Sequence, residues 1–268
     1  MDAALPSTAA TTDHRLAAAR HAFSTPERVP LTTEERQLLA DAAEPALRHE
    51  GLKLARWTLG TGPRVLLVHG WNSRGAHLLG IAQALVRAGF SATLFDLPAH
   101  GDSGGQTASV VHAARALQAM AAEIGGLHGV IGHSMGSAAA LLAFSEGLRV
   151  ERSVHLAGPS SLTPVIKGLA AVHGLTPGDA AAFAGWAASF IGTALGNVDL
   201  ERLRGGLRHT GLILHDSQDR TVPFAASAAL HAAWPDSTLV ATTDLGHRRL
   251  LGDATVIAQT AAFMAGGA

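Results

Sequence analysis

The sequence predicts an α/β fold: a mostly parallel central sheet flanked by helices on both faces. Three observations carry this. From about residue 50 onward, short apolar runs of strand length alternate with longer runs of helical spacing, the pattern of right-handed βαβ crossovers. Runs such as Val65-Leu66-Leu67-Val68 lack polar alternation, as suits a strand covered on both sides. With 268 residues, 47% hydrophobic and 15% charged, the chain can bury the core that such a sheet needs, as one large α/β domain or two small ones.

Taken in order, residues 1–30 read as a mobile arm or a wrap-around segment. Thr32-Thr33-Glu34-Glu35 offers a helix cap with acids in the first turn. His49 to Leu59 alternates Leu52, Leu54, Trp57 and Leu59 with polar residues, as in a half-buried strand, and Gly60-Thr61-Gly62-Pro63 is a turn. Val65–Val68 is the next strand, Gly75 to Ala88 a helix, Ala92–Phe95 a strand, Thr107 to Ile124 a helix and Leu127–Ile131 a strand. Beyond a helix from Ser137 to Glu146 comes Ser153–Ala157, a strand that breaks at Gly158-Pro159. Residues 160–206 interrupt the alternation with helical material. Strands at Leu212–His215 and Thr238–Ala241 then alternate with helices at Phe224–Ala233 and Val256–Met264.

Several function classes are disfavoured. A net charge of −1 lacks the basic excess of a nucleic-acid binder. The absence of cysteine removes disulfide frameworks, thiolate metal sites and a cysteine nucleophile. The histidines lack paired helical spacing around a glutamate, and no glycine-rich phosphate loop follows the first strand. Neither a metal nor a cofactor is therefore expected. Met1 to Thr12 lacks a basic region and an apolar core, and the uncharged stretch between Asp179 and Asp199 is too rich in Ala, Gly, Ser and Thr for a membrane span; a cytoplasmic location is expected.

The chemistry gathers around Gly132-His133-Ser134-Met135-Gly136, set between a strand and a helix. In that context Gly-x-Ser-x-Gly describes a sharp turn with a strained serine at its apex. The helix start beside it offers a positive dipole end and free N–H groups. In a parallel sheet, functional groups collect past the carboxyl ends of strands. Those positions hold His69-Gly70-Trp71, Asp96, Ser134, Asp216 and Asp219, and Gly246-His247. For an acid, Asp216 and Asp219 compete, with Asp244 a third option.

Together with Asp96-Leu97-Pro98-Ala99-His100-Gly101-Asp102-Ser103 and His215 to Pro223, these motifs resemble the α/β-hydrolase superfamily, carboxylesterase-like serine hydrolases, across roughly residues 50–268. The resemblance implies Ser134 as nucleophile, His247 as base and Asp219, the second Asp before Val222-Pro223, as acid. It implies an oxyanion site from the backbone N–H groups of Trp71 and Met135. His69 and His100 would brace the entrance, and Trp71 would line the acyl side. It divides the chain into an N-terminal arm and helix (1–48), a core (49–159 and 207–268) and a helical lid (160–206). On that lid Phe183, Trp186 and Phe190 fall at helical spacing, either as a roof over an acyl pocket or as a helix packed on the body. The implied activity is cleavage of small to medium carboxylic esters through an acyl-enzyme. Lactonase, thioesterase, peptidase, C–C hydrolase and acyltransferase chemistry would use the same residues, and a non-catalytic ligand-binding protein is the other reading. Oligomeric state is open.

Overall fold

The sheet begins earlier in the chain than its hydrophobic pattern announces. The computed structural model describes residues 8–267. Within them, Glu50 and Gly51, at φ 46° and 77°, turn β1 (Ala43–His49) back onto β2 (Leu52–Leu59). Positive φ at both central residues matches the twist of the flanking strands, which is why such two-residue turns favour glycine. The single strand expected over His49 to Leu59 is thus one arm of a hairpin, and the other arm lies in the expected N-terminal arm. Pro45 hid it: β1 is an edge strand with a register shift between Glu44 and Leu47, where a residue without an N–H is tolerated.

The remaining strands are β3 (Arg64–Val68), β4 (Ser91–Phe95), β5 (Leu127–His133), β6 (Arg152–Leu156), β7 (Thr210–Asp216) and β8 (Ser237–Thr242), in the order β1-β2-β4-β3-β5-β6-β7-β8. Among the described residues, β2 alone runs opposite to the other strands of the sheet. The carboxyl ends of β3, β5, β7 and β8 therefore share one rim. On one face Leu66 and Val68 pack with α4 (Val110–Ile124) and α5 (Met135–Ser145). On the other, Val65 and Leu67 pack with α3 (Leu79–Arg87) and α11 (Ala254–Met264). The helix expected from Gly75 starts as a 3-10 turn over Gly75–Leu78 before α3.

Residues 1–7 of the expected arm lie outside the described residues. The arm beyond them is helical: α1 (Thr8–Ser24) buries Ala19 and Phe23. Helix α2 (Thr33–Leu39) carries the expected capping box, with Glu35 N–H donating to Thr32 Oγ1 at 3.1 Å and Thr32 N–H to Glu35 Oε2 at 2.8 Å. Residues 160–206 hold α6 (Leu162–Val172), α7 (Pro177–Ile191) and the short α8 (Leu200–Leu203). Among the described residues, no helix is long and apolar enough to cross a membrane.

Histidines are buried through this core: His69, His100, His133 and His155. Burial disfavours the charged form of each ring, and specific bonds fix several of them. His69 Nε2 accepts from Leu97 N–H at 3.0 Å, and His155 sits between the hydroxyls of Ser137 and Ser153 at 2.7 and 3.0 Å. Burial pushes His133 and His155 down to about 3 and His100 to about 4, and His69 well below its usual value of 6.5. Below pH 6.5 the unfolded chain therefore takes up protons that the folded chain refuses. The stability is complete above about pH 6.5 and is lost toward the folded-state values, at up to about 1.4 kcal/mol per histidine per pH unit. Asp96 opposes this. Burial raises it from 3.8 to about 6, so the folded chain binds a proton there first and offsets about one histidine. Melting temperature is expected to fall steeply between pH 6.5 and 4.5 in differential scanning calorimetry; a constant value across that range contradicts the neutral-histidine core.

Candidate active site

Between the last residue of β5 and the first of α5 stands Ser134 alone, so one residue makes the whole reversal. It does so at φ 52°, ψ −121°, a conformation costly for a residue with a side chain and found mainly where surrounding structure enforces it. Enforcement comes from backbone contact. A Cβ at Gly132 would lie 2.6 Å from Ser137 N, and one at Gly136 would enter the carbonyls of Val68 and His69. The turn is pressed onto the end of β3. Gly70 completes the approach from the other side, since its Cβ would lie 2.8 Å from that of Ser134.

The rim then brings three predicted side chains into line. Ser134 Oγ lies 3.0 Å from His247 Nε2, and His247 Nδ1 lies 2.7 Å from Asp219 Oδ2. His247 sits at the start of the short α10 (Gly246–Arg249), past β8. With Nδ1–H donating to the carboxylate, Nε2 is left to accept the serine proton. Burial tends to raise Asp219, but the His247 bond and the N–H groups of Val222 and Thr221, at 3.0 and 2.7 Å from Oδ1, hold it below the ordinary carboxylate value. It stays an anion.

The rival acids are spent elsewhere. Asp216 accepts from Gln218 N–H, Thr242 Oγ1 and Leu245 N–H, each at 3.0 Å; it ties the loop after β7 to β8 and its successor. Asp244 is exposed.

Two histidines that the motif pattern left without a role flank this line. His133 donates from Nε2 to the His247 carbonyl at 2.9 Å, and its ring centre lies 4.9 Å from that of His247. Burial keeps it neutral, so no second cation opposes a charged His247. His215 Nε2 faces Val222 O at 3.0 Å and Asp219 Oδ2 at 3.2 Å, while Nδ1 faces Ser227 Oγ at 2.7 Å. A carbonyl can only accept, so Nε2 carries the proton and gives Asp219 a further donor. Nothing in the spacing of fifteen histidines could have singled these out.

Of the expected oxyanion donors, Met135 follows Ser134 in sequence and Trp71 follows Gly70, which abuts the serine. The first turn of α5 is closed by Ser137 and Ala138 N–H donating to Ser134 O, so the Met135 N–H precedes the first intrahelical bond and is free to point outward. Trp71 follows Gly70 in the loop that touches the serine. Its ring packs edge-on to His100, centres 5.3 Å apart, and His100 packs on His69 at 5.1 Å.

Of the two readings of the aromatic face in residues 160–206, the ring contacts match the helix packed on the body. Phe183 is fully buried, and its ring, with those of Trp186 and Phe190, meets Phe23 edge-on at 6.1, 6.2 and 6.1 Å. Phe190 also meets His112 of α4 at 5.5 Å. These rings bind α7 to α1 and the body. The spacing within α7 disclosed the apolar face but not its partner, because Phe23 lies 160 residues earlier.

A family model described as the alpha/beta hydrolase family matches residues 65–260. A search of curated protein sequences found no significant match. Among solved structures, an esterase from Pyrococcus furiosus superposes with a TM-score of 0.68 at 20% identity, covering 89% of this chain and 98% of its own. An esterase from Exiguobacterium antarcticum gives 0.61 at 16%, covering 84% and 99%. Est1E from Butyrivibrio proteoclasticus, solved with ferulic acid bound, gives 0.60 at 17%, covering 80% and 95%. At these identities the likeness speaks for the fold. With the family match spanning most of the sequence and an eight-stranded sheet of the same kind beneath it, the chain belongs to the alpha/beta hydrolase family.

Proposed function

We propose that this hydrolase is a serine esterase that cleaves small to medium carboxylic esters through an acyl-enzyme. The unbroken line from Ser134 through His247 to Asp219, at 3.0 and 2.7 Å, is the observation that carries the reading, and the likeness to solved esterases supports the substrate class.

The steps follow from the groups present. Ser134 Oγ attacks the ester carbonyl carbon as its proton passes to His247 Nε2. The carbonyl oxygen gains the negative charge and is met by the N–H groups of Met135 and Trp71. Asp219 stays ionised and stabilises the imidazolium. As the C–O bond breaks, the imidazolium gives its proton to the departing alkoxide, and the acyl group remains on Ser134. Water repeats the sequence, with His247 first taking and then returning a proton, and the acid is released. The modest size of the lid, under fifty residues, favours compact acyl groups.

Purified protein is expected to hydrolyse p-nitrophenyl acetate and butyrate, and Ser134→Ala to lose about 10⁴-fold or more of kcat/KM. Hydrolysis that survives Ser134→Ala unchanged would remove the mechanism. Asp219→Asn is expected to lower kcat by about 10⁴-fold through the wrong imidazole tautomer. Asp216→Asn should act mainly on stability, since Asp216 ties loops and does not touch the imidazole; the opposite ranking of the two in kcat would move the acid to Asp216.

A further inference from the structure

Residues 25–36 lie upstream of the region that the family model matches, yet they hold the loop that touches the serine and a second loop packed against it. Glu27 N–H donates to Asn72 Oδ1 at 2.8 Å. Glu35 takes three bonds from the buried Arg74, Nε to Oε2 at 3.0 Å and Nη2 to Oε1 and Oε2 at 2.6 and 2.7 Å. These two contacts hold the loop that carries Trp71. The second loop is gripped by Arg28. Its Nη1 donates to the carbonyls of Gly101 and Ser103, both at 2.6 Å, and its Nη2 to that of Gly105 at 2.9 Å. Arg36 pairs with Asp102 on the same loop at 3.3 Å.

The two loops meet at Trp71. One neighbour in sequence, Asn72, stands at φ 49°, a left-handed conformation that asparagine tolerates better than most residues. The ring of Trp71 rests on His100, next to Gly101 in the Arg28 grip. Besides the approach of Gly70 to Ser134, the backbone around the Trp71 N–H is thus held from the N-terminal segment on two sides.

We infer that residues 25–36 are a brace for the oxyanion site, with Asn72 and Arg28 as its positioning residues: the bond from Glu27 N–H to Asn72 and the Arg28 grip on the 101–105 carbonyls together aim the Trp71 N–H at the carbonyl oxygen of the substrate. The inference rests on the serine-esterase reading. A donor misaimed by a small shift loses bonding that forms only in the transition state, so the loss falls on kcat and leaves KM nearly alone.

The test uses the full chain and p-nitrophenyl acetate. Asn72→Gly keeps the backbone freedom and removes the acceptor, whereas Asn72→Asp keeps an acceptor. For the loss of one such bond in the transition state, Asn72→Gly is expected to lower kcat by about tenfold with KM within about twofold. Asn72→Asp is expected to restore most of it. Arg28→Gln, which cannot span the three carbonyls, is expected to lower kcat similarly, and all three variants to melt within a few degrees of the parent. Wild-type kcat in both Asn72→Gly and Arg28→Gln overturns the brace. So does a loss confined to KM, or a loss in Asn72→Asp equal to that in Asn72→Gly. A parent whose hydrolysis does not depend on Ser134 overturns the esterase reading instead, and the brace falls with it.

Discussion

The constraint on which the serine site depends is backbone against backbone. The turn at Ser134 is pushed onto the end of β3 so tightly that Gly136 has the carbonyls of Val68 and His69 where a side chain would be, and Gly70 touches Ser134 in return. The serine turn takes its position from that contact. It holds Ser134 at a φ of 52°, which lifts the hydroxyl off the sheet. It brings the loop carrying Trp71 to the serine, and it leaves the first N–H of α5 free beside it. A parallel sheet supplies the remaining requirement, because the strands that precede Asp219 and His247 end on the same edge.

Electrostatics at the rim is arranged around few charges. Asp219 is kept ionised by N–H donors and His247. The other rings nearby, His133 and His215, are held down by burial, so His247 has an anion on one side and neutral neighbours on the other. In the proposed mechanism, a proton arriving from Ser134 on His247 is stabilised by Asp219 and is not opposed by a second imidazolium. The same burial that keeps these rings neutral makes the fold sensitive to acid, so the two properties share one cause.

The serine turn, the places of the candidate acid and base past β7 and β8, and the alternation of strands and helices were legible because each leaves a local mark: glycines two residues either side of a serine, apolar runs of strand length, polar residues just past them. The bounds of most strands differed by a residue or two. What was not legible depends on partners distant in sequence. Strand β1 fell within the expected N-terminal arm and helix, because Pro45 and charged residues, tolerated on an edge, leave no strand pattern there. The apolar face of α7 could be read, but not that Phe23 would cover it. The grip of Arg28 on three carbonyls has no sequence signature, since backbone acceptors are the same for every residue. The resemblance pointed to Asp219, but the residues alone left Asp216 open: both follow β7, and the direction of each carboxylate separates a loop tie from a partner of His247.

The nucleophile is tested most directly by trapping the covalent intermediate. Protein mixed with excess p-nitrophenyl butyrate, quenched in acid within the first turnovers and digested, is expected to carry a butyryl mass on the peptide containing Ser134 and on no other. The label should vanish when substrate is exhausted. A butyryl group on a different residue, or turnover with no acylated peptide at any quench time, would contradict the claim that the strained serine at the end of β5 is the nucleophile.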